Sequence, residues 1–210
     1  MSLDLEEQEQ VDALKAWWAK YGNLVTWTLI ALMGVFAGYT LYDRYQRDQS
    51  SKAAVIFDEM DKAVKAKDLV KVERVMADLK EKFPRTAYGQ MAGLASAKAL
   101  YEGGKKEAAE AALKWTAENA IEDEYKSLAK LRLAGLLLDR KAYDEALALV
   151  ATPASAAFAP LYADRRGDVL LAQGKREEAR AEFKKAFDGL EKSVNYREVV
   201  ELKLNSLGGA

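Results

Sequence analysis

The sequence predicts an all-α protein, in which a single N-terminal transmembrane helix leads into a helical solenoid of about four helix pairs and a C-terminal capping helix. Three observations predict it. Residues 21–42 carry no charged side chain, a stretch long enough to cross a bilayer. From residue 50 to the end, apolar residues recur at helical spacing with short breaks, and nothing alternates with a period of two for long enough to propose a sheet. That same part repeats itself at intervals of 33 and 37 residues, as stacked helix pairs do.

The amino-acid balance narrows the function before any motif does. The 210 residues hold 32 Lys and Arg against 33 Asp and Glu, a net charge of −1, with neither histidine nor cysteine. Lacking Cys, the chain has no disulfide, no thiol nucleophile, no zinc finger and no lipoprotein anchor thiol. Lacking His, it has no Ser-His triad and none of the commonest general base and metal ligand. A near-neutral charge offers nucleic acid no net attraction. No cofactor is expected, and most enzymes are excluded.

The N-terminal block, residues 1–20, is acidic: Asp4, Glu6, Glu7, Glu9 and Asp12 oppose Lys15 and Lys20. Residues 21–43 form the predicted transmembrane helix. Its 22 uncharged residues span about 33 Å as a helix, against a hydrocarbon thickness of roughly 30 Å. Leu24, Trp27, Ile30, Met33, Phe36 and Leu41 share no single stripe, whereas a core helix of a soluble domain shows a polar edge. Trp17, Trp18 and Tyr21 flank it on one side and Tyr39, Tyr42 and Tyr45 on the other, the positions amphipathic rings prefer. Two rival readings are a buried globular helix, whose uncharged runs are usually shorter, and a cleaved signal peptide, since Val35-x-Ala37 is a small-residue pattern. The long acidic leader and hydrophobicity continuing to Tyr42 oppose cleavage. Arg44, Arg47 and Lys52 against two bases on the N-side lean towards a cytoplasmic C-terminal part. Long domains escape that rule, so orientation stays open on charge alone. Ala31, Gly34 and Gly38 make a small-residue face where another membrane helix can approach closely.

From residue 50 to 210 the turns at Lys67-Asp68, Gly104-Lys105, Lys141-Ala142 and Gly174-Lys175 bring four copies into register. Before three of those turns lie Ala97, Ala134 and Gly167; after them lie Ala109, Ala146 and Ala179, then Leu113, Val150 and Phe183. The last copy, with Gly167, Ala179, Phe183 and Ala186, has the small–small–aromatic–small order of a tetratricopeptide repeat. Small residues are needed where two antiparallel helices cross closely, and the bulky one plugs the adjacent gap. The first copy is diverged: Met60, Val72 and Met76 take the equivalent places and Pro84 closes it. A last helix near Tyr196–Leu207 offers Val199, Leu202 and Leu207 to cap the stack.

No chemistry emerges from the motifs. Arg166-Gly167-Asp168 is an integrin-type tripeptide, but its glycine is the helix-crossing residue of a predicted helix. Glu6-Glu7 and Glu177-Glu178 are neighbours that do not face each other on a helix. No phosphate-cradling glycine pattern is present. A helix-pair solenoid instead offers a concave face for polypeptide. In the repeat frame, Phe57, Asp61, Leu94, Lys98, Tyr101, Leu128, Leu138, Asp164, Asp168 and Leu171 line it.

The order of parts now carries a resemblance. The segment EQVDALKAWWAKYGN before the span, the Tyr88-Gly89 pair, LRLA at Leu131–Ala134, the RGDVLLAQGKREEA run and LKLNSL at Leu202–Leu207 together resemble the YfgM-like family, the ancillary subunit of the bacterial SecYEG translocon. The resemblance implies a single-pass inner-membrane protein with a cytoplasmic N-terminus and a periplasmic repeat domain. It implies association with SecYEG and with PpiD, a membrane-anchored periplasmic chaperone, help in handing newly translocated chains to chaperones, and no catalytic residues. The expected partners are therefore the translocon, PpiD, nascent secreted chains and the lipid bilayer, without nucleic acid. The alternative is a membrane-tethered regulatory scaffold for a cytoplasmic or division partner.

Overall fold

The computed structural model describes residues 5–191 and 195–208, so Asp4 of the acidic leader lies outside them, as do the side chains of Glu6 and Glu7. Among these residues the chain forms nine α-helices: α1 (Leu5–Lys65), α2 (Leu69–Lys82), α3 (Ala87–Glu102), α4 (Lys106–Asn119), α5 (Asp123–Asp139), α6 (Tyr143–Leu149), α7 (Ala159–Ala172), α8 (Arg176–Gly189) and α9 (Tyr196–Ser206). Contacts divide the chain into two compact units, Met1–Asp48 and Gln49–Ala210.

In the first unit, Leu24, Trp27, Ile30, Met33, Phe36 and Leu41 are all at least 47% exposed, so exposed apolar surface runs around the helix. This part of α1 is long and apolar enough to cross a membrane. The hydroxyls of Thr26, Thr28 and Thr40 donate to the carbonyls of Gly22, Leu24 and Phe36 at 2.8–2.9 Å. In hydrocarbon an unpaired hydroxyl is costly, and these three close their bonds on their own helix.

In the second unit, four helix pairs follow one another: the end of α1 with α2, then α3–α4, α5–α6 and α7–α8, with α9 against α8. One device makes each hairpin. Lys67, Gly104, Lys141 and Gly174 all have positive φ, between 54° and 83°. At each turn the left-handed residue donates its N–H three residues back and the next residue donates five back, as in Lys105 N to Leu100 O at 2.8 Å. That is the Schellman motif, four times over. Helix starts are fixed locally too. The Asp68 carboxylate accepts from Lys71 N at 3.0 Å and the Thr86 hydroxyl from Gly89 N at 3.1 Å.

Close helix crossings fill the interior. Ala97, Ala109, Ala134, Ala146, Gly167, Ala179, Phe183 and Ala186 are all buried, as are Met60, Val72 and Met76 of the first copy. A further crossing residue is Gly93, where an added Cβ would stand 1.9 Å from Thr116 Oγ1. The apolar interior forms three neighbouring clusters rather than one central core, each shared by successive helices. This is how a stack of repeats distributes its burial.

Two elements differ from the regular pattern. Helix α6 has seven residues where α4 and α8 have fourteen. Pro153 lies just beyond it, and the residue before a proline avoids helical backbone. The following loop is pinned instead, with Ser155 N donating to Ser127 Oγ at 3.0 Å and Tyr162 Oη to Ser127 O at 3.0 Å. In α9 the buried residues are Val200 and Leu204, while Val199 and Leu202 are 43% and 70% exposed. The capping face is thus rotated from the expected Val199 and Leu202. Lys203 sets the rotation by reaching inward to Asp164 and Asp168.

Candidate partner-binding groove

The first helices of successive pairs touch, α3 on α5 and α5 on α7, so their shared face is the inner face of the stack. Between them lies a cavity of about 470 Å³, lined by Lys98 and Tyr101 with Arg132, Gly135, Leu136, Asp139 and Arg165 among its walls. Tyr101 Oη donates to Asp139 Oδ2 at 2.7 Å, tying α3 to α5. That bond, with the negative charge of Asp139 behind it, raises the Tyr101 pKa, so the phenol stays a donor.

The cations of the cavity are loosely engaged. Arg132 Nη1 donates to Leu94 O at 3.4 Å, Lys98 Nζ is 3.9 Å from Glu102, and Arg165 Nη1 is 3.5 Å from Asp168. The Arg165 Nε is buried without a hydrogen-bond partner. A Cβ on Gly135 would be 3.7 Å from Arg165 Cζ and both terminal nitrogens, so the guanidinium lies flat over the bare backbone of α5.

Of the ten residues expected on the concave face, Lys98 and Tyr101 line this cavity. Asp61 is exposed, and Phe57 is half-buried against Tyr88, ring centroids 5.7 Å apart. Three others stand elsewhere for clear reasons. Leu94 is in the core at 7% exposure. Asp164 is 1% exposed beneath α9, accepting from Tyr196 Oη at 2.6 Å and from Lys203 Nζ at 2.9 Å. Asp168 accepts from the same Lys203 at 2.7 Å, and burial pushes its carboxyl up despite that bond. The capping helix has claimed this end of the groove. Leu128, Leu138 and Leu171 are half-buried packing residues.

The frame missed Arg132, Gly135, Leu136, Asp139 and Arg165. A groove between neighbouring helices is walled by the trailing edge of one and the leading edge of the next, whereas the frame picked the middle of each helix. The available signal was the i, i+3, i+4, i+7 set Arg132, Gly135, Leu136 and Asp139. The integrin-type tripeptide is structural: Arg166 donates to Glu182 and to Val150 O, both at 2.7 Å, from inside α7. In the first unit, a Cβ on Gly34 or Gly38 would meet nothing within 4 Å, and Ala31 is exposed.

An apolar helix long enough to span a bilayer is joined to stacked helical repeats, the class of fold that offers extended surfaces to polypeptide. The chain belongs to the family of ancillary SecYEG translocon subunits, and the profile of the tetratricopeptide repeat-like domain matches its residues 15–209. It is 32% identical over 209 residues to the ancillary SecYEG translocon subunit of Neisseria gonorrhoeae, covering 99% of this chain and 100% of that protein. It is 26% identical over 212 residues to the protein of the same name from Escherichia coli K12, covering 99% of each. The Haemophilus influenzae protein of that name is 25% identical over 207 residues, covering 99% of this chain and all of its own length. No solved structure matches the chain.

Proposed function

We propose that the chain is a non-catalytic adaptor of the Sec translocon, anchored in the bacterial inner membrane by one span. Residues 1–20 lie in the cytoplasm, residues 21–43 cross the bilayer and residues 50–210 form the periplasmic repeat domain. The single observation carrying this reading is the full-length similarity to proteins named as ancillary SecYEG translocon subunits. Two structural features support it. The bare face at Ala31, Gly34 and Gly38 allows a translocon helix to approach closely. The groove between α3, α5 and α7 suits polypeptide, either the anchored chaperone PpiD or a chain newly emerged from the channel. The adaptor keeps PpiD beside the exit and shortens the path of a new chain to its chaperone.

Photocrosslinking in native membranes tests this directly. A crosslinker at residue 34 is expected to capture channel subunits, and one at residue 98 to capture PpiD or a secreted chain. A reporter fused after Ala210 should be active only on the periplasmic side. A reporter active only in the cytoplasm, or channel-free adducts at residue 34, would overturn the reading.

A further inference from the structure

Among the surfaces of the second unit, a cavity of about 650 Å³ lies beside the shortened α6, but its rim mixes acids and bases and selects no occupant. The exposed Val199 and Leu202 of α9 likewise have nothing to say what covers them. The groove between α3, α5 and α7 does select one. Its lining has three cations, Lys98, Arg132 and Arg165, and one carboxylate, Asp139, already bonded to Tyr101.

We infer that this groove binds an acidic peptide segment, in which side-chain or terminal carboxylates meet Arg132 and Arg165; the inference rests on the polypeptide-binding reading above. Charge complementarity names the occupant. Arg132 is exposed and has a single long bond to a carbonyl, so its fork is free to accept a carboxylate. Arg165 lies against Gly135 with its Nη1 3.5 Å from Asp168 Oδ2, while the other Asp168 oxygen accepts from Lys203 at 2.7 Å. A planar guanidinium resting on bare backbone loses little freedom on binding, which favours bidentate carboxylate contact. Lys98 lines the cavity, is exposed and stands 3.9 Å from its partner Glu102. Ala97, Leu113 and Leu136 supply apolar wall between the charges, so acidic residues interspersed with leucine or alanine fit better than a bare anion.

The test uses the full chain in nanodiscs of zwitterionic lipid and a fluorescein-labelled peptide of repeating Glu-Leu-Ala, read by anisotropy. The Glu peptide is expected to bind roughly tenfold more tightly than its Gln counterpart. Arg132→Glu should abolish that preference, and Lys98→Glu should weaken it with helicity unchanged by circular dichroism. Arg165→Lys, which keeps the charge and loses the fork, should cost roughly tenfold. Equal binding of both peptides, unaffected by Arg132→Glu, overturns the acidic-ligand inference and leaves the polypeptide reading standing. Binding of neither peptide overturns the inference as well, while the crosslinking above judges the adaptor role independently. If nanodiscs containing phosphatidylglycerol compete through Arg132, the site belongs to lipid headgroups and the inference fails.

Discussion

Gly167 and the Phe183 ring are packed so closely that a Cβ on the glycine would stand 2.6 Å from Cε1 of the ring, which is fully buried. Helix propensity alone would favour alanine by about 1 kcal/mol. Overpacking a rigid core costs about 1–3 kcal/mol. The ring is held on all sides, so the clash wins. Gly167→Ala is expected to lower stability by about 1–2 kcal/mol in urea denaturation of the full chain in detergent. Adding Phe183→Leu should recover part of that loss. A single variant as stable as the parent would sink the close-crossing account.

The four hairpin turns predict a gain. Lys67 and Lys141 hold the left-handed backbone that Gly104 and Gly174 hold in the other two copies. A side chain there costs about 1–2 kcal/mol. Lys67→Gly and Lys141→Gly should each raise stability by about 0.5–1 kcal/mol after the glycine's extra unfolded freedom is set against it. Thermal melting by circular dichroism reads the change, and a lower melting temperature for both would contradict the shared-turn geometry.

The α9 cap should loosen in alkali. Burial, followed by the hydrogen bond to Asp164 and the nearby Asp168 charge, raises the Tyr196 pKa well above the usual phenol value. A raised folded-state value contributes stability that is fully present below the unfolded pKa, about 10, and is lost as pH rises through the folded one. Absorbance at 295 nm should show a late-titrating tyrosine that Tyr196→Phe removes. An unaltered titration curve in that variant would refute the assignment.

For the span, Gly34→Leu with Gly38→Leu should reduce co-purification of the channel severalfold, since bulk forces helix axes apart. Ala31→Gly serves as the control that keeps the face small. Equal recovery from all three chains would mean the small residues are compositional.

The helix pairs were legible in the sequence because one set of constraints, small crossing residues and a left-handed turn, recurs at near-constant spacing. Even the diverged copy with Met60 and Met76 keeps the turn at Lys67. Helix α6 was less legible, because its early end is decided by Pro153 rather than by periodicity. The groove was less legible. Of the ten residues expected on the concave face, Lys98 and Tyr101 line the cavity, but Asp164 and Asp168 went to Lys203, a pairing across 39 and 35 residues that no local pattern announces. Arg132 and Arg165 carry no distinguishing sequence signal in a chain that is 31% charged. Their meaning comes from the gap between two helices, which exists only once the helices are stacked.

The brevity of α6 shifts the burden of continuity to the inner helices. A stack of repeats is stabilised by each repeat and by its contacts with its neighbours. Here the outer wall thins at Tyr143–Leu149, with a full-length outer helix on either side. Across that joint Tyr162 and Val169 of α7 are buried in the same cluster as Leu133 and Leu137 of α5, and Tyr162 Oη donates to Ser127 O. The third and fourth pairs are thus knitted together from the inside, where the short outer helix leaves room.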